Sequence, residues 1–218
     1  ERFVGEVAFE NIQFEYEKGK PISRGINFTA RAGEMIAIVG PTGSGKTTII
    51  QLLTRFYDTT GGRILLDGEP ITNYKMTNVR DHVGVVLQDT YLFSGTVREN
   101  IRFGKLDATD EEVEQAAKIA YAHNFIKYLP QEYDTLLTSG GMNLSQGQRQ
   151  LIAIARAIIE DPDILILDEA TSSVDTMTEV HIQKGLNNLM KGRTSFVIAH
   201  RLKTIENADT ILVLKDGQ

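Results

Sequence analysis

A chain of 218 residues, 41% of them hydrophobic, can bury a core without disulfide or metal staples. It contains no cysteine, which excludes thiolate metal sites and cysteine nucleophiles. Its 29 acidic against 23 basic residues leave a net charge of −6, the wrong sign for a protein that grips nucleic acid by its phosphates.

From the start, Val7 and Phe9, then Ile12, Phe14 and Tyr16, then Ile26 and Phe28 alternate with other residues, which predicts strands with one buried face. Residues 35–39 form a short apolar run that stops at Gly40, and a helix-forming stretch follows from Lys46 to about Thr54. Strands are predicted at 64–66 and 83–87. The middle is helical. Thr109-Asp110-Glu111-Glu112 has the spacing of a capping box and opens a helix with Val113, Ala116, Ala117, Ala120 and Tyr121 on its apolar face. A second helical run reaches Leu129, where Pro130 stops it. Ser145-Gln146-Gly147-Gln148 repeats the capping-box spacing and opens a long apolar helix through Ile159, ended by Asp161-Pro162. Strands return at 164–167, 195–198 and 210–214. Buried strands alternating with helices imply a parallel sheet covered on both faces. Lys215-Asp216-Gly217-Gln218 reads as a turn with no strand after it, so the sequence is expected to be a piece of a longer polypeptide, shortened at both ends. No run approaches the roughly 18 apolar residues that cross a bilayer, and any membrane role must come through a partner.

Two segments carry chemistry. Gly40-Pro41-Thr42-Gly43-Ser44-Gly45-Lys46-Thr47 matches G-x-x-x-x-G-K-[ST] in full, between a strand and a helix. Glycines let backbone N–H groups approach phosphate oxygens, and the helix N-terminus adds partial positive charge. Lys46 supplies a cation for the β- and γ-phosphates, and the Thr47 hydroxyl is a ligand for Mg²⁺. A glycine-rich turn with a surface lysine is the plain alternative, and the strand–helix context argues against it. Downstream, four apolar residues end in Asp168-Glu169. A buried strand that ends in charge at its carboxyl edge forms the floor of a ligand site in open α/β sheets. Asp168 would hold Mg²⁺ directly or through water, and Glu169 would polarise a water in line with the γ-phosphate.

Together with Leu144-Ser145-Gln146-Gly147-Gln148, similar to the signature LSGGQ and followed by Arg149-Gln150, these segments resemble the nucleotide-binding domain of ATP-binding-cassette (ABC) transporters from about Val7 to Gly217. The implied fold class is α/β: a P-loop NTPase core with a mostly parallel sheet, an N-terminal antiparallel β subdomain and an inserted α-helical subdomain. The whole chain, 1–218, would be one such domain, with its ATP-binding core at about 1–88 and 161–218 and the helical subdomain at about 89–160. The resemblance implies that ATP and Mg²⁺ are bound and that ATP is hydrolysed. Contacts to ATP would come from Gly40, Pro41, Thr42, Gly43, Ser44, Gly45, Lys46, Thr47 and Thr48, with Tyr16 stacking on adenine. Gln88 resembles the Q-loop glutamine that reaches Mg²⁺, and His200 the switch histidine near the γ-phosphate. Asp175, in Ser173-Val174-Asp175, resembles the D-loop aspartate at the dimer seam, and Ser145, Gly147 and Gln148 would face the nucleotide of a second chain. Glu169, His200, Lys46 and Gln88 form the implied catalytic set.

The stretch from Gln88 through Asp89-Thr90-Tyr91-Leu92-Phe93-Ser94-Gly95-Thr96 to Ile101 is similar to exporter-type domains. The implied partners are therefore a second nucleotide-binding domain and a transmembrane domain, at the cytoplasmic face of a membrane. Two positions depart from the family pattern. Gln146 replaces the first glycine of the signature pair, and residues 138–143 lack the glutamate that many exporters carry just before it, as in transporters with two unequal subunits. A soluble ABC-type ATPase acting on DNA or ribosomes would need a coiled-coil insertion or tandem cassettes. The short separation of Lys46 from Leu144 opposes it. A regulatory subunit that holds ATP without cleaving it is opposed by Glu169 and His200, and a nucleoside kinase would not need residues 144–148.

Overall fold

Two strands open the chain, β1 (Val7–Glu17) and β2 (Lys20–Ala30). The computed structural model describes residues 2–17, 20–40, 46–53, 61–87, 90–169 and 174–214, without the side chains of residues 13–17, 20–24, 46–48 and 52. There follow β3 (Met35–Val39), α1 (Lys46–Leu53), β4 (Gly61–Leu66), β5 (Glu69–Pro70), α2 (Met76–His82) and β6 (Val83–Val86). Next come β7 (Gly95–Thr96), α3 (Val97–Arg102), α4 (Asp110–Ile119), α5 (His123–Ile126), β8 (Leu136–Leu137) and α6 (Gln146–Glu160). The chain closes with β9 (Ile164–Asp168), α7 (Thr176–Met190), β10 (Thr194–Ile198), α8 (Leu202–Asn207) and β11 (Thr210–Val213). It divides into two units: Glu1–Gly84, Pro162–Ala170 and Gly192–Gln218 in the first, Val85–Asp161 and Thr171–Lys191 in the second.

The first unit is built on two sheets. An antiparallel sheet runs β2-β1-β4-β5, and a five-stranded sheet runs β11-β3-β10-β9-β6, with β11, β3, β10 and β9 parallel to one another. The centre of β3, all of β10 and all of β9 except Asp168 are buried. That is why these strands read as continuous apolar runs, since helices or a second sheet must cover both of their faces. The Phe28 ring joins the two sheets, 4.5 Å from Phe9 and 6.1 Å from Phe196 by ring centroids. The alternation of β1 is broken at Asn11, where the pairing with β4 slips between Glu10 and Gln13. Gly62 makes the slip possible: its φ is +71°, and a Cβ there would lie 2.1 Å from the Asn11 carbonyl oxygen.

In the second unit α6 is the central element, packed by α3, α4 and α7. Leu151, Ile152, Ile154 and Ala155 are buried on it. Both predicted capping boxes form, at Thr109 and at Ser145. Asp161 ends α6 in the left-handed conformation, and Pro162 follows. The helical run expected to reach Leu129 is shorter. α5 closes at Ile126, and the N–H groups of Tyr128 and Leu129 donate three residues back, to Phe125 and Ile126, because the chain tightens towards Pro130. A polar knot around the buried Asn100 ties this unit together: the partly buried Arg156 donates to the Asn100 carbonyl, to Asn100 Oδ1 and to the Tyr91 carbonyl, and desolvation pulls its guanidinium below the ordinary arginine value. No helix among the described residues is long and apolar enough to cross a membrane.

Thr194 anchors the N-terminal segment to the first unit. Fully buried, its hydroxyl accepts from the Gly33 N–H at 3.0 Å and donates to the Gly5 carbonyl at 2.7 Å. Thr194→Val keeps the shape but leaves both partners unpaired, so chemical denaturation should register a loss of about 1–3 kcal/mol. An unchanged midpoint would mean that water replaces the hydroxyl.

Candidate functional site

The parallel register fixes what meets at the carboxyl edge of the five-stranded sheet. Ile198 lies beside Asp168 and beside Ile38, so the residues that follow β9, β10 and β3 emerge together, where open α/β sheets bind ligands. After β3 come Gly40 and, from Lys46, the first turn of α1. After β9 comes Glu169, and after β10 come Ala199 and His200.

The two acids sit differently although they are neighbours in sequence. The Asp168 side chain is 25% exposed, and its Oδ1 lies 3.3 Å from Nε2 of the half-exposed His200, a contact that becomes an ion pair when the imidazole is protonated. Glu169 is only 5% exposed. Its N–H donates to the Ile198 carbonyl at 3.1 Å. Its Oε1 accepts from the His200 backbone N–H at 3.2 Å, and its Oε2 accepts from the Thr204 hydroxyl. Glu169 is thus an enclosed acid with a donor at each carboxylate oxygen. Adjacent side chains leave a strand end on opposite sides, which separates a partly solvated carboxylate from an enclosed one. The partly exposed carboxylate of Asp168 suits Mg²⁺, which takes one or two protein carboxylates and completes its shell from phosphates and water.

The second unit carries the other cluster. Ser145 caps α6: its Oγ accepts from the Gln148 N–H at 3.2 Å, and Gln148 Oε1 accepts from the Ser145 N–H at 3.1 Å. Asp175 caps α7 by accepting from the Thr178 N–H at 3.0 Å. Its carboxyl is held below the usual carboxylate range, first by the Thr178 hydroxyl and then by that N–H. Gly147 joins the two helix starts, because a Cβ there would stand 2.5 Å from Thr178 Cγ2 and 3.0 Å from Val174 Cγ1.

Other expected positions fall outside what the structure describes. Pro41, Thr42, Gly43, Ser44, Gly45 and Gln88 lie outside the described residues, as do the side chains of Tyr16, Lys46, Thr47 and Thr48. The main chain sets Tyr16 in β1 and Lys46, Thr47 and Thr48 in the first turn of α1. Sequence reasoning missed Thr204 and Asn100. Thr204 lies four residues past His200 on a short helix, a spacing without meaning until α8 is folded. Asn100, with no exposed surface, follows a Thr96 cap that could have marked the start of α3.

Strand, phosphate-loop sequence, helix and a carboxylate-tipped neighbouring strand define the class: an α/β nucleotide-binding domain of the phosphate-loop type. The ABC transporter sequence profile matches residues 23–172. The chain is 56% identical over 215 residues to an uncharacterized ABC transporter ATP-binding protein, YfiC, of Bacillus subtilis, covering 99% of this chain and 36% of that one. It is 51% identical over 214 residues to ATP-binding cassette sub-family B member 6 of Xenopus tropicalis, covering 98% of this chain and 25% of that one. Against a fatty acid ABC transporter ATP-binding/permease protein of Mycobacterium bovis the identity is 49% over 215 residues, covering 99% of this chain and 34% of that one. A solved structure of a bacterial Atm1-family ABC exporter with ATP bound superposes with a TM-score of 0.90 at 46% identity, over 98% of this chain and 37% of that chain. The chain belongs to the ABC transporter family, as one of its ATP-binding ATPase domains, and its fold is that of the exporter domains. It spans about a quarter to a third of the length of these relatives.

Gly147→Ala should cost about 1–3 kcal/mol in stability through the clash with α7. Thr178→Ser, which removes Cγ2, should recover part of it. Equal stability of Gly147→Ala and wild type in urea titration would show that α6 and α7 separate freely.

Proposed function

We propose that this chain is the ATP-hydrolysing motor of an ABC exporter, and that two such domains close on ATP and reopen after its cleavage. The observation that carries the reading is the pair of unlike acids at one sheet edge, with His200 touching both through different atoms. A base for water attack needs to be enclosed and aimed, and a cation ligand needs access to phosphate and solvent. Glu169 and Asp168 meet these opposite needs.

In this reading Lys46 and the N–H groups at the start of α1 hold the β- and γ-phosphates. Asp168 and Thr47, with Gln88, hold Mg²⁺, which when bound would neutralise charge on the phosphate oxygens. Glu169 takes a proton from the attacking water, and His200 leaves Asp168 to support the γ-phosphate. Tyr16 stacks on the adenine. Ser145, Gly147 and Gln148, at the N-terminus of α6, meet the nucleotide held by a second chain, with Asp175 at the seam. Closure is favoured because phosphate charge is then met from both sides in a site that excludes water, and loss of the γ-phosphate removes the shared contacts.

A cleft of about 240 Å³ in the second unit is lined by Val85, Leu87, Thr90, Tyr91, Ala153, Arg156, Ala157 and Glu160. Its exposed Leu87 and Tyr91 suit the docking of a short segment from a transmembrane domain, which would seat this chain on the cytoplasmic face of a membrane. The exporter fold at 46% identity and the relative described as an ATP-binding/permease protein support that partner.

Glu169→Gln should keep ATP binding and lose turnover by about 10³-fold or more. Hydrolysis at the wild-type rate would move the base elsewhere. Ser145→Arg should leave ATP binding by the monomer intact and abolish the ATP-dependent dimer seen by gel filtration of the Glu169→Gln protein. A dimer of undiminished yield would end the shared-site reading.

A further inference from the structure

We infer that Thr204 is a positioning residue for ATP hydrolysis, holding the Glu169 carboxylate in its working orientation from the side opposite His200. This rests on Glu169 being the base. Glu169 is enclosed, and the two oxygens of its carboxylate have separate donors: the His200 main-chain N–H at Oε1 and the Thr204 hydroxyl at Oε2. A carboxylate gripped at one oxygen can still rotate about its last side-chain torsion, a broad and shallow one. Gripped at both, it is fixed in plane.

The geometry also joins that grip to the switch histidine. His200 and Thr204 belong to one short stretch, the turn into α8 and its third residue, and the His200 ring reaches Asp168 from the same stretch. Five consecutive residues therefore carry three contacts to the two acids: side chain to Asp168, main chain to Glu169, hydroxyl to Glu169. When the His200 ring turns from Asp168 towards phosphate, its main-chain N–H and the Thr204 hydroxyl keep Glu169 aimed, so the proton acceptor does not follow the ring. The Thr204 hydroxyl is committed to Glu169 Oε2, so its effect reaches the reaction through the carboxylate.

The test compares Thr204→Val, Thr204→Ser and Glu169→Gln in steady-state ATP hydrolysis by the purified protein. Thr204→Val keeps the shape and loses the donor. Its kcat should fall about tenfold, the kinetic equivalent of one hydrogen bond to a charged group, with KM for ATP within twofold of wild type. Thr204→Ser, which restores a hydroxyl, should return kcat to within about twofold. Wild-type kcat in Thr204→Val overturns the inference. So does equal impairment of the Ser and Val variants, which would assign Thr204 a packing role, or a raised KM with kcat unchanged. Glu169→Gln separates the two levels. If it is inactive while Thr204→Val is unimpaired, only the positioning role falls. If it hydrolyses ATP at the wild-type rate, the base assignment falls and the inference with it.

Discussion

The register of β9 against β10 is the constraint on which the site depends. Pairing of Ile198 with Asp168 means that Glu169, the first residue beyond β9, can donate its N–H to the carbonyl of Ile198, the last residue of β10, and that its side chain meets the His200 N–H at Oε1. A slip of one residue would exchange the two buried faces of the slipped strand, each packed against a different layer, and would invert the acids. That slip is opposed by the whole core of the first unit, where Ile164, Ile166 and Phe196 are buried with Ile36 and Ile38. The precision of the edge is inherited from apolar packing several residues away.

The second unit solves a different problem. A helix N-terminus is a general place for an anion, so what distinguishes this one is how it is held. Ser145 and Gln148 satisfy each other, which leaves the cap ordered before any ligand arrives. Gly147 lets α7 approach until Thr178 fills the space where a side chain would be. The start of α6 and the Asp175 cap of α7 are thereby fixed relative to each other, and two elements expected to meet a second chain are presented as a single surface. In the same unit the partly buried Arg156 exchanges hydration for hydrogen bonds to the carbonyl and Oδ1 of the buried Asn100.

Much of this was legible in the sequence, for reasons that differ by element. β3, β9 and β10 announced themselves because burial on both faces demands uninterrupted apolar residues, and α4 and α6 because a capping box writes a helix start into four positions. The fold class followed from that alternation and from the resemblance. β1 was readable as alternation, but the slip at Asn11 was not, since it depends on Gly62 some fifty residues later in space-filling contact. α2, α3 and α5 are six or fewer residues or barely longer, too short for a helical period to stand out. At the edge, Asp168, Glu169 and His200 were each visible as a polar residue closing an apolar strand. The partners of Glu169 were not, because a threonine hydroxyl on α8 has no local pattern that marks it.

Asp168 and Glu169 also illustrate how one dipeptide acquires two environments. Strand geometry sends consecutive side chains to opposite sides, so a single step along the chain moves a carboxylate from a partly wet setting to an enclosed one. In the wet setting a second charge can be met by a hydrated cation at small desolvation cost. In the enclosed setting an unpaired carboxylate would be costly, and the hydrogen bonds from His200 and Thr204 are what make it tolerable there. Those same donors come from one stretch of chain that also presents the His200 ring to Asp168. The two acids are therefore coupled through residues 200–204 rather than through each other. A displacement of that stretch would change the exposure of Asp168 and the confinement of Glu169 together, because residues 200–204 contact both.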